Sequence, residues 1–126
     1  MRVINGAALT NLAVAPDGSA VSIDVTDENA MPGSLVLSVS ALQSLIMSLP
    51  RAMQQALQLR YCDPSLRLVY PLGNWRLETS TQSGKLLLTL ATGDGFEVTF
   101  AVIASDLERL AEAATRAEVA GKPSPN

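Results

Sequence analysis

Basic and aromatic side chains fall together in the middle of this chain. Arg60, Arg67, Arg76 and Lys85 are interleaved with Tyr61, Tyr70 and Trp75. Cations that track a phosphate backbone, with rings on which bases stack, make a surface for single-stranded nucleic acid, each stacked base contributing about 1–3 kcal/mol. Arg60, Arg67, Tyr70, Trp75, Arg76 and Lys85 are therefore the candidate nucleic-acid or partner surface. The alternation of residues places Arg67 and Arg76 on the strand faces opposite Leu68 and Leu77, where they share one solvated surface. The same residues also read as an ordinary solvated sheet face with its rings in the core. Residues 51–85 carry five bases and two acids, while residues 1–50 carry one base and four acids and residues 86–126 three bases and six acids. The net charge of −3 opposes phosphate at long range, so binding is expected to be weak and lost at physiological salt.

Other chemistries find less material. Asp24, Asp27, Glu28 and Asn29 cluster oxygen ligands of the kind hard cations take, but their spacing fits no EF-hand loop. Thr92-Gly93-Asp94-Gly95 is too short to wrap a phosphate, and it reads as a hairpin turn between two strands. The chain has no histidine, which closes imidazole acid–base catalysis, Ser-His and Cys-His nucleophiles and histidine-bound metals. Its one cysteine, Cys62, allows no intrachain disulfide and is expected as a small buried hydrophobe. No catalytic, cofactor or metal residue is assigned. An enzyme on this chain would have to work with carboxylates, lysine or arginine converging in one pocket.

The elements that must position these groups follow from patterning. Hydrophobic residues make up 48% of 126 residues and charged residues 17%, enough apolar material for one domain over residues 1–126 without a disulfide or metal. The start of the chain lacks an unbroken apolar run of secretory type, so a cytoplasmic location is expected. The longest apolar helical stretch, residues 42–59, is broken by Ser44, Ser48, Pro50 and Arg51 and is not expected to span a bilayer.

An internal repeat organises the rest, over residues 2–60 and 66–120. Ser40-Ala-Leu-Gln43 and Ser105-Asp-Leu-Glu108 both fit a capping box, with the serine hydroxyl satisfying one free helix N–H. Each box follows alternating strands. Val21, Ile23 and Val25, then Leu35, Leu37 and Val39, lead to the first box; Leu86, Leu88 and Leu90, then Phe96, Val98, Phe100 and Val102, lead to the second. One strand earlier stand Thr10, Leu12 and Val14, matched by Trp75, Leu77 and Thr79. Earlier still, short strands are expected at residues 2–4 and 66–70. Leu86-Leu87-Leu88 is apolar on both faces, which suits a central strand.

A helix closes each copy. Leu42, Leu45, Ile46 and Leu49 share one helical face, and Pro50 is expected to end or kink that helix. The last helix presents Leu107, Leu110, Ala111 and Ala114, with residues 121–126 as a flexible tail. The plan is α+β: a ββββα unit twice, with short turns, antiparallel sheets, and helices covering one sheet face.

A duplicated ββββα unit of about 65 residues resembles the Whirly and Pur-repeat group of single-stranded nucleic-acid binders. The resemblance spans residues 2–120 and rests on element order and spacing, without a shared sequence motif. It implies two β4α units with exchanged helices and sheets that present the binding surface. Composition points instead to a non-enzymatic interaction or scaffold module. Unpaired sheet edges and high apolar content predict a homodimer, and leave a protein partner possible.

Overall fold

A computed structural model describes residue 1 and residues 3–121. Arg2 and the expected tail beyond Gly121 lie outside the described residues. The chain divides into two compact units, Met1–Leu68 and Val69–Asn126. The first holds strands β1 (Gly6–Val14), β2 (Ala20–Asp27) and β3 (Pro32–Ser38), then helix α1 (Val39–Arg60). The second holds β4 (Asn74–Thr79), β5 (Leu86–Ala91) and β6 (Glu97–Val102), then helix α2 (Ala104–Gly121). Each sheet is antiparallel and in chain order, β1-β2-β3 and β4-β5-β6, so β5 is central as the leucine run requires. The fold is α+β with a duplicated sheet-and-helix unit.

The duplication holds at the level of cross-strand rows. Leu12, Ile23 and Leu35 lie opposite one another across the first sheet. Leu77, Leu88 and Phe100, each 65 residues on, do the same in the second. The rows Asn11–Asp24–Ser34 and Arg76–Thr89–Thr99 correspond in the same way, as do Val14–Val21–Leu37 and Thr79–Leu86–Val102. The second turn repeats as well. Thr92 N–H donates to Phe96 O at 2.8 Å, where Asp27 N–H donates to Met31 O at 3.0 Å. Ala30 (φ 61°) and Gly95 (φ 97°) take the same left-handed position. One constant offset therefore links the copies from Asn11 to the helix starts. Upstream, a bulge at Thr10 makes Leu9, and not Thr10, the residue opposite Val25.

Each sheet has three strands, not the four expected. Residues 3–5 form no strand, and Gly6 already belongs to β1, opposite Asp27. Residues 66–70 form none because their backbone groups are engaged elsewhere. Gln54 Oε1 accepts from Leu68 N–H at 3.0 Å, and Gln58 Nε2 donates to Leu66 O at 2.9 Å. Two glutamines one helical turn apart thus hold the chain after α1 in place of a neighbouring strand.

The helix starts also differ from expectation. Ser38 is the N-cap of α1, its Oγ accepting from Ala41 N–H at 3.2 Å. Ser40 and Ser105 are both the second residue of their helices, equivalent to one another but not caps. At α2 the side chain works in the reverse sense: Asp106 Oδ2 accepts from Ile103 N–H at 3.5 Å. Pro50 does not end α1, which runs through it to Arg60. The carbonyl of Ile46, left without its donor, lies on an exposed stretch where water can serve it.

Neither helix covers its sheet, contrary to the layering expected. No residue of α1 or α2 is buried. The join explains it. β3 passes into α1 without an intervening residue and β6 into α2 through Ile103 alone, whereas a helix laid back on its sheet is ordinarily reached through a loop of about 2–6 residues. Among the described residues the only buried apolar side chains are Val21 and Ala91.

Candidate interaction surface

Alternation gives each sheet one polar and one apolar face. On the polar face of the first sheet, Asp24 gathers its neighbours. Its carboxylate accepts from Ser34 Oγ at 2.7 Å, Ser22 Oγ at 3.4 Å and Asn11 Nδ2 at 3.5 Å. On the polar face of the second, the Thr89 and Thr99 hydroxyls bond at 2.8 Å, with Thr89 fully buried. Arg76 there pairs with Glu78 at 3.5 Å and Glu97 at 3.8 Å. These faces satisfy their polar groups within the sheet.

The apolar faces have no such closure. On the first sheet Leu9, Leu12, Val14 and Leu35 are each more than half exposed. On the second, Trp75, Leu90 and Val98 form one row and Leu77, Leu88 and Phe100 the next. Trp75 is 64% exposed and Phe100 50%. At the end of this face Tyr70 and Phe96 meet with ring centroids 5.5 Å apart. With Leu72, Leu90, Val98 and Phe100 they line a cleft of about 340 Å³.

The six residues singled out from sequence are distributed differently from expectation. Arg60 is the last residue of α1 and stands over the Tyr61 ring, 5.8 Å from its centroid. Arg67 lies on no strand; with Leu57, Tyr61, Asp63 and Leu66 it lines a shallow depression of the first unit. Arg67 and Arg76 therefore do not share a strand face, because the glutamines of α1 hold the 66–68 segment. Tyr70 and Trp75 belong to the apolar side of the second unit, whereas Arg76 points to the opposite face. Lys85 is exposed just before β5. The sheet thus separates ring from cation instead of offering both to one ligand.

Cys62 is exposed, not buried. It takes the left-handed position (φ 51°) that closes α1. Cys62 N–H donates to Leu59 O at 3.3 Å and Asp63 N–H to Gln58 O at 3.0 Å, a Schellman closure in which glycine is the usual occupant. Asp63, like Asp17, lies below its ordinary value of 3.8 because a serine hydroxyl two residues on, and then that serine's N–H, donates to it. Asp94 is lowered mainly by the Thr92 hydroxyl. Asp27 accepts from Asn29 N–H and Met31 N–H, both at 2.9 Å, and so serves the turn. No group of three or more acidic or thiol side chains converges among the described residues. No helix among them is long and apolar enough to cross a membrane.

What the sequence did not single out for this surface is Leu72, and the strand-face residues Leu90, Phe96, Val98 and Phe100. Their alternation was visible, but it marks a core face and an interface face alike. Compared with known proteins, the chain matches no family model, no curated protein and no solved structure.

Proposed function

We propose that this chain is an interaction or scaffold module that works as a homo-oligomer. The observation that carries the reading is its open apolar surface. Leu9, Leu12, Val14 and Leu35 on the first sheet and Trp75 and Phe100 on the second are each half exposed or more, and no residue of either helix is buried over them. Contiguous apolar patches left open in this way mark interaction surfaces. The two apolar sheet faces supply the chemistry such interfaces need.

Light scattering on the purified chain tests the reading. A mass of twice 13.3 kDa, or a higher multiple, at micromolar concentration is the expected result. A monodisperse monomer across that range would sink the proposal.

A further inference from the structure

We propose, independently of the homo-oligomer reading, that the Asn5-Gly6 bond is a site of spontaneous covalent modification, where the Asn5 amide becomes a carboxylate and part of the product is isoaspartate.

The chemistry needs only water and hydroxide. The Gly6 backbone nitrogen, giving its proton to hydroxide, attacks Asn5 Cγ. A new C–N bond closes a cyclic succinimide, and the Cγ–Nδ2 bond breaks with ammonia as the leaving group. Water then opens the ring at either carbonyl. One opening gives aspartate; the other gives isoaspartate, with an extra methylene in the backbone. A side chain on the following residue obstructs approach of the backbone nitrogen. Glycine carries none and leaves the backbone freest to turn.

Of the chain's five asparagines, Asn5 alone precedes a glycine. Asn11, Asn29 and Asn74 precede leucine, alanine and tryptophan. Asn5 is also exposed and lies outside β1, which begins at Gly6. The two Asp-Gly bonds are guarded by comparison. Asp17 Oδ1 accepts from Ser19 Oγ at 2.7 Å and from Ser19 N–H at 3.0 Å, and Asp94 accepts from the Thr92 hydroxyl. Each is held as a carboxylate, a poor electrophile, in a turn whose glycine is left-handed.

The place of Asn5 gives the modification a consequence. With Asp27, Met31 and Ser34 it lines a cleft of about 420 Å³. The Asp27 carboxylate holds the β2–β3 turn by accepting from Asn29 N–H and Met31 N–H. A carboxylate at position 5 brings a second negative charge to that cleft, where like charges repel. The isoaspartate product also lengthens the backbone just before Gly6, which is paired with Asp27. Both changes loosen the turn.

To test this, the folded, purified chain is incubated at mildly alkaline pH and each asparagine is followed by peptide mass spectrometry. The amide-to-acid mass gain should appear first in the peptide holding Asn5, and sooner as pH rises. Its isoaspartate fraction should accept a methyl group from S-adenosylmethionine through an isoaspartyl methyltransferase. Gly6→Ala should abolish the gain without loss of the fold, because a Cβ there meets the Val25 side chain at 3.7 Å, an ordinary contact. Asn5→Gln, which would have to close a larger ring, should abolish it too. Conversion no faster than at Asn11, unchanged in Gly6→Ala, free of isoaspartate, or seen only in urea would overturn the proposal. In Asn5→Asp, hydrogen exchange at the Asn29 and Met31 amides should quicken, and unchanged exchange would overturn the consequence for the turn.

Discussion

Trp75 and Arg76 are adjacent in β4 and stand on opposite faces of one sheet, Trp75 beside Leu90 and Arg76 beside Thr89. This separation holds for the strand part of the basic, aromatic middle, whereas Arg60 and Arg67 of the first unit lie beside Tyr61. The ring joins an uncharged apolar face, and the cation is bracketed by Glu78 and Glu97 on the other. Stacking and phosphate neutralisation would need both on one side.

Gly73 should tolerate no side chain. Its N–H donates to Ala91 O at 2.8 Å, and an added Cβ would lie 2.7 Å from Gly93 N and 2.9 Å from the Thr92 carbonyl carbon. Both neighbours are backbone and cannot swing aside. Gly73→Ala is expected to destabilise the second unit by about 1–3 kcal/mol, the range of overpacking, as read by urea denaturation. A change under a few tenths would show that this close approach is absent in solution.

The left-handed positions give an opposite pair of effects. Ala30 and Gly95 occupy equivalent turn sites, and an L side chain there costs about 1–2 kcal/mol. Ala30→Gly should stabilise by about 1 kcal/mol and Gly95→Ala destabilise by as much. Cys62→Gly at the end of α1 should also stabilise. The order of denaturation midpoints checks all three.

The 66–68 segment should depend on α1. Gln54→Ala and Gln58→Ala each remove a backbone partner, at about 1 kcal/mol apiece. Hydrogen exchange should quicken at the Leu68 amide in Gln54→Ala, since Gln54 is its acceptor. Unchanged exchange there would remove the reason given for the missing strand.

Acid should loosen three turns. Asp17, Asp63 and Asp94 have carboxyls lowered below 3.8 by neighbouring hydroxyls. A lowered folded-state value means the contribution is present above the unfolded value and is lost as pH falls through the folded one. The expected window therefore lies below about pH 4. Carboxyl titration followed by NMR should place all three midpoints under 3.8, and a midpoint above it would contradict the turn geometry.

Much of this architecture could be read from the residues. Alternation located β2, β3, β5 and β6, and Thr92-Gly93-Asp94-Gly95 declared its hairpin. The repeat was legible because the cross-strand rows keep one offset. Pattern failed where a side chain from elsewhere in the unit decides the outcome, as Gln54 and Gln58 do for residues 66–68. It failed at the caps because Ser38 and Ser40 both suit the site, and strand register selects Ser38. Cys62 was misplaced because its exposure follows from a left-handed helix end that composition does not mark. The candidate surface was legible only in Tyr70 and Trp75, since a period-two apolar pattern is the same whether a core or a second chain covers it.

The central claim is that the folded state of this chain is completed by other copies of itself. Thermal unfolding over a hundredfold range of protein concentration tests it most directly, because association with the folded state alone makes the midpoint concentration-dependent. The account predicts a midpoint that climbs steadily with concentration. A cooperative transition at one fixed temperature throughout, with a monomer's mass, would contradict it.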